Sequence, residues 1–138
     1  NILGIGSGVG NADLDDDGFL DLFLTNRTFY NSEKQITESD RNYLLRNKGN
    51  DNNWIKIELT GTKSNTNAYG ARVKVMAGDS IQYREHTSAH GYNSANDYRL
   101  HFGLADEEHI DLIEIIWPSG ERDLLTDIAV NQTLSIEE

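Results

Sequence analysis

Apolar and polar residues alternate with a period of two along most of this chain, which confines it to strands that bury one face. Leu20, Leu22 and Leu24 alternate with Asp21, Phe23 and Thr25, and Ile55, Ile57 and Leu59 with Lys56 and Glu58. The rhythm continues in Ala71, Val73 and Val75 around Arg72 and Lys74, in Ile81 and Tyr83 around Gln82, and in Leu134 and Ile136. Ile113, Ile115 and Trp117 share one face and Leu112, Glu114 and Ile116 the other, so this run is apolar on both sides and suits a central strand. No stretch sustains a helical period. Turn-forming clusters separate the runs: Ala77-Gly78-Asp79, Pro118-Ser119-Gly120 and Asn65-Thr66-Asn67. The pattern predicts an all-β chain, mostly antiparallel, folded as a β-sandwich or barrel-like domain. Two stretches break it. Residues 27–42 read as a long polar surface loop, and residues 105–109 (ADEEH) as a single helical turn or a solvated connection.

The 138 residues suffice for one domain of ordinary size, or one plus a fragment of another. A composition shift at Lys48-Gly49-Asn50-Asp51-Asn52-Asn53 places the expected boundary. Residues 1–50 hold an acidic segment and a partner strand near residues 43–47, and residues 51–138 form a separate β unit. The net charge of −11 repels phosphates, so nucleic acid is not an expected partner. With no cysteine, disulfides, thiol catalysis and zinc–thiolate sites are excluded. No apolar run approaches the roughly 18 residues of a membrane-spanning helix, and membrane insertion is not expected. The chain opens on Asn1-Ile2-Leu3 without an initiator Met, which reads as a piece of something longer.

The acidic segment is ADLDDDGFLDLFLTN, residues 12–26. Its spacing is D-x-D-x-D-G-x-x-D: Asp13, Asp15, Asp17, Gly18 and Asp21. Calcium takes six to eight hard oxygen ligands, and a loop curled about the ion presents alternate side chains to it. Asp13, Asp15 and Asp17 then supply carboxylates, Gly18 allows the sharp turn, and the Phe19 carbonyl and Asp21 complete the set. Asp16 falls between ligand positions and points outward. An EF-hand requires a glutamate where this chain has Leu24, and the segment leads into a strand rather than a helix. Magnesium prefers fewer carboxylates and keeps its waters. The bland reading is a solvated Asp/Gly turn. The combined spacing favours Ca2+.

These residues make the segment Asn11 to Asn26, within GNADLDDDGFLDLFLTN, resemble the FG-GAP/VCBS repeat, a β-propeller blade unit with a calcium loop between strands. NYLLRNKG (42–49) is similar to a later strand of the same repeat. The rest resembles the ASPIC/UnbV domain in GARVKV (70–75), HGYNSANDYRLHFGL (90–104) and IEIIWPSG, which ends at Gly120. The resemblance implies a partial β-propeller-type repeat followed by an ASPIC/UnbV-like β domain, at the C-terminal end of a secreted protein. It implies an extracellular, periplasmic or cell-surface location. A propeller closes from about four to eight blades, and one loop cannot make one alone. The unpaired repeat strands are then expected to pack on the following domain, or to pair with another copy as a homo-oligomer.

Four histidines, His86, His90, His101 and His109, show no metal-ligating spacing. His101 alternates with Leu100 and Phe102 as an ordinary strand residue. Ser88, His90 and Asp97 supply the residue types of a hydrolase, but no G-x-S-x-G elbow accompanies them. The chain therefore reads as non-enzymatic. In the loop 86–99, His90, Tyr92, Asn93, Asn96, Asp97 and Arg99 mix aromatic faces with planar hydrogen-bonding groups, which suits recognition of a polar partner. The competing reading has Asn and Asp capping turns and Tyr98 and Arg99 packing internally. Trp54 and Trp117 read as packing residues, the latter at a corner. The expected function is a calcium-stabilised extracellular binding or adhesion module for a protein or carbohydrate partner. The alternative is an assembly domain without its own ligand.

Overall fold

The structure is a computed structural model that describes residues 6–38, 41–92 and 94–138. All its regular elements are strands, and there is no helix among the described residues. By its contacts the chain divides into two compact units, Asn1–Lys48 with Ala89–Asp97, and Gly49–Ser88 with Tyr98–Glu138.

The first unit is built on a three-stranded antiparallel sheet in the order β1 (Gly6–Ala12), β2 (Asp21–Asn26), β5 (Tyr43–Leu45). β1 pairs with β2 from Gly8↔Thr25 to Ala12↔Asp21, and Leu22 faces Leu45 across the β2–β5 pair. The other edge of β1 is also engaged. The Asp97 amide donates to the Asn11 carbonyl (2.8 Å), and the Asn96 side-chain oxygen accepts from the Asn11 amide (3.1 Å). Gly10 is required there, since a Cβ would stand 2.8 Å from the Ala95 carbonyl oxygen.

The described part of the polar stretch 27–42 holds a hairpin in place of the expected loop. β3 (Phe29–Asn31) and β4 (Ile36–Glu38) form a hairpin in which Tyr30 faces Thr37. The Asn31 side-chain oxygen accepts from the Glu33 and Lys34 amides, each at 3.2 Å, and so makes the turn. Residues 106–108 connect two strands without a helix.

The second unit stacks two sheets. One runs β12 (Gln132–Glu137), β6 (Asn53–Thr60), β9 (Leu100–Ala105), and the other β11 (Arg122–Ala129), β10 (His109–Ile116), β7 (Arg72–Ala77), β8 (Ser80–Glu85). β10 lies inside its sheet, as its two apolar faces require. Pairing is antiparallel except for β12, which joins β6 in parallel with Leu134 opposite Ile57. Alternate residues from both sheets meet in one core: Ile55, Ile57 and Phe102 from the first, and Val73, Val75, Ile113 and Ile115 from the second. Trp117 closes it. It is 2% exposed, and its indole N–H donates to Asp123 (2.7 Å), which satisfies the polar edge of a buried ring. The outer side of the second sheet exposes Ile81, Tyr83 and Leu124.

Two loop features set the ends of this sandwich. Gly78 opens the two-residue β7–β8 turn at φ +53, which favours glycine, and a Cβ would collide with the Glu107 carboxylate at 2.2 Å. At the other end, one oxygen of the Glu138 carboxylate accepts from the amides of Thr62 (3.1 Å), Lys63 (2.9 Å) and Ser64 (2.6 Å). Its second oxygen accepts from the Ser64 hydroxyl (2.8 Å) and from that of Ser119. Desolvation alone pushes the Glu138 carboxyl up, but hydrogen bonds from the Ser119 hydroxyl, the Ser64 amide and hydroxyl and the Lys63 amide outweigh it, and the pKa falls from 4.5 to about 2.

Two expectations follow. Ile115→Ala should cost about 2–5 kcal/mol in urea unfolding, while Leu124→Ala on the outer face should stay within about 0.5 kcal/mol. Equal losses would contradict the inward and outward assignment. A depressed carboxyl pKa contributes stability that is complete above the ordinary value and lost as pH falls through the folded value. The Glu138 contribution is therefore present above pH 4.5 and declines toward pH 2. Glu138→Gln should flatten that part of the stability–pH curve, measured by urea titrations at stepped pH.

Candidate metal site

The acidic loop joins β1 to β2, and the Ala12↔Asp21 pair fixes its two ends. Its aspartates do different work. Asp13, 2% exposed, accepts from the Asp17 amide (3.0 Å) on one oxygen and from the Gly18 amide (2.8 Å) on the other. Asp21, 4% exposed, accepts from the Leu14 amide (3.3 Å) and the Asn47 amide (2.8 Å). Asp17 accepts from the Phe19 amide (3.0 Å). The chain can curl this tightly because Asp16 and Gly18 take left-handed conformations, φ 56 and 92. Asp16 is exposed.

Carboxylate oxygens of Asp13, Asp15 and Asp17 lie within 4.8 Å of one another. Oxygens on opposite sides of a calcium ion, each about 2.3–2.6 Å from it, would be about 4.6–5.2 Å apart, so these three residues fit the ion. Asp21 stands outside this group, with both oxygens on backbone amides. An oxygen that accepts one N–H keeps a second lone pair.

A positive group already faces the loop. The Arg46 guanidinium pairs with Asp15 and lies 3.6 Å from Asp17. The sequence reading missed it. Its only signal is positional, because the β2–β5 register sets Arg46 immediately after Leu45, the residue opposite Leu22, and so near the mouth of the loop. The Asp21–Asn47 hydrogen bond then ties Arg46's neighbour to the loop.

The residues proposed from the 86–99 loop are divided between the two units. His90 and Tyr92 are exposed, the latter by 77%, and Asn93 lies outside the described residues. Asn96 and Asp97 pair with Asn11. These belong to the first unit, while Arg99, over the Tyr98 ring at 5.8 Å, belongs to the second, as does Ser88. Of the remaining histidines, His101 stacks on Trp54 (6.4 Å between centroids), and buried His86 packs on Tyr69 (5.1 Å).

Comparison of the sequence with known proteins supplies the family. Residues 61–138 match the ASPIC and UnbV family, more than half of the chain, and the chain belongs to that family. Among individual relatives, cartilage acidic protein 1 from Homo sapiens is 29% identical over 126 residues, covering 86% of this chain and 17% of the relative. The chain thus spans less than a fifth of that relative's length. No helix of the described residues is long and apolar enough to cross a membrane.

If Asp21 braces the loop, Asp21→Ala should destabilise the first unit by about 1–3 kcal/mol in chelator, because two amides lose their acceptor. Leu14→Ala, at a side chain 57% exposed, should change little. Thermal melts of both variants decide it, and a neutral Asp21→Ala would remove the bracing role.

Proposed function

We propose that this chain is a non-enzymatic, calcium-stabilised extracellular binding module, part of an FG-GAP/VCBS-repeat protein that carries an ASPIC/UnbV domain. The observation that carries this reading is the convergence of Asp13, Asp15 and Asp17 within 4.8 Å. Those three residues would hold the ion, with the Phe19 carbonyl and Asp21 completing the set by their places in the loop spacing. Carboxylates crowded together destabilise a fold until neutralised, so ion binding becomes folding free energy. Arg46 supplies part of that neutralisation without metal, and an entering ion competes with it for Asp15 and Asp17. Such competition suits the weak, sub-millimolar to millimolar affinities of extracellular calcium modules.

A second reading, an assembly domain, draws support from the exposed Ile81, Tyr83 and Leu124 on the outer sheet face. Sedimentation in calcium and in chelator separates the two: a calcium-independent oligomer favours assembly.

Calcium at a hundredfold excess over its dissociation constant adds about 2.7 kcal/mol, on the order of 10 °C in the melting point of a unit this small. Asp15→Ala should abolish the shift, and Arg46→Gln should enlarge it while lowering the melting point in chelator. Identical melting points of the unaltered protein in calcium and in chelator would refute the calcium reading.

A further inference from the structure

We propose that the cleft at the open end of the β6–β9 pair binds a neutral carbohydrate, one pyranose unit at a time. β6 pairs with β9 from Asn53↔Ala105 to Ile57↔Leu100, and the pairing stops there, although β6 continues to Thr60. Among the described residues the last three of β6 thus have no partner strand on that side, and a cleft of about 190 Å3 opens against them. Its volume is below the roughly 300–1,000 Å3 of sites for drug-sized ligands, which leaves room for a single ring-sized unit.

The walls have a definite chemistry. Tyr69 and Tyr98 contribute rings that are partly open to solvent, their residues 38% and 56% exposed. Thr60, Thr66 and Asn67 line the cleft beside them. Among the described residues no hydrogen bond engages these three side chains or the two tyrosine hydroxyls. The loop that carries Thr66, Asn67 and Tyr69 is held in shape from both sides. Its Asn65 side chain bonds the Tyr69 amide and carbonyl, each at 2.9 Å, and the Gly70 amide donates to the His86 carbonyl (2.8 Å). Polar groups presented on a braced loop beside exposed aromatic rings are a preorganised surface rather than a packing accident.

The same groups select the ligand. A wholly apolar molecule would cover polar lining residues without offering them partners, at a cost for each group buried. An anion would meet the Glu58 carboxylate, and no Lys or Arg among the described residues lines the cleft itself, the Arg99 guanidinium standing over the Tyr98 ring at 5.8 Å. A pyranose satisfies both demands, since its C–H face can cover a tyrosine ring while its hydroxyls pair with hydroxyl, amide and carboxylate groups. The inference rests on the reading of this chain as a binding module and names the ligand class and the surface.

Saturation-transfer NMR on the whole chain, with the methyl glycosides of glucose, galactose and mannose up to about 20 mM, tests it in the range of millimolar affinity. Glucuronate and tetramethylammonium serve as the anionic and cationic comparisons. At least one neutral glycoside should receive saturation at its ring C–H protons, and should bind more tightly than glucuronate or tetramethylammonium. Tyr98→Ala and Asn67→Ala should each weaken it by about two- to tenfold, and both alter exposed positions, so unchanged melting points are expected. No transfer to any neutral glycoside, equal binding in both variants, or preference for either charged probe would overturn the inference. A protein whose melting point responds to calcium but which gives no sugar signal would overturn the carbohydrate alone and leave the calcium reading standing.

Discussion

Backbone amides in tight loops need acceptors, and in this protein carboxylates supply them. Asp13 takes the amides of Asp17 and Gly18, and Asp21 those of Leu14 and Asn47. Asp111 takes the Gly78 amide at the β7–β8 turn, and Glu138 gathers three successive amides of residues 62–64. A carboxylate is an acceptor on both oxygens, and charge-assisted hydrogen bonds are shorter and stronger than neutral ones. Part of the acidity that gives the chain its net charge of −11 is therefore structural, holding connections between strands.

This principle explains why a strand can follow directly on a crowded acidic loop. The buried aspartates, Asp13 and Asp21, face inward and are satisfied by amides. The more exposed pair, Asp15 and Asp17, faces the Arg46 guanidinium. Under the calcium proposal the loop does not need the ion to acquire its course, and the ion exchanges with a side chain already present. That arrangement links sequence to function through one competition: Arg46 lowers affinity for the ion and raises stability without it. The second unit needs no such device, because its two sheets bury a continuous core of Ile, Val, Leu and Phe.

Much of this was legible in the residues. The alternation in Ile55–Leu59, Ala71–Val75 and Ile113–Trp117 foretold β6, β7 and β10, and the two apolar faces of residues 112–117 placed β10 inside its sheet. The spacing of Asp13, Asp15 and Asp17 foretold their convergence. What escaped depended on pairing rather than on local pattern. The β3–β4 hairpin hid behind charged turn residues, because its register rests on Asn31 as a turn-forming acceptor. Arg46 gained meaning only through the register of β2 with β5. The cleft of Tyr69, Tyr98 and Asn67 drew on separate segments that sequence spacing does not connect. The parallel placement of β12 beside β6 could not be read from two leucine-like alternations that serve an antiparallel pair equally well.

Amide hydrogen exchange, residue by residue in chelator and then in calcium, tests most directly whether carboxylate-to-amide bonds, and not the ion, shape the acidic loop. The amides of Gly18 and Asn47 should be protected already in chelator, with calcium adding protection mainly around Asp15 and Asp17. Rapid exchange of Gly18 and Asn47 until calcium is added would contradict it, and would make the ion the organiser of the loop.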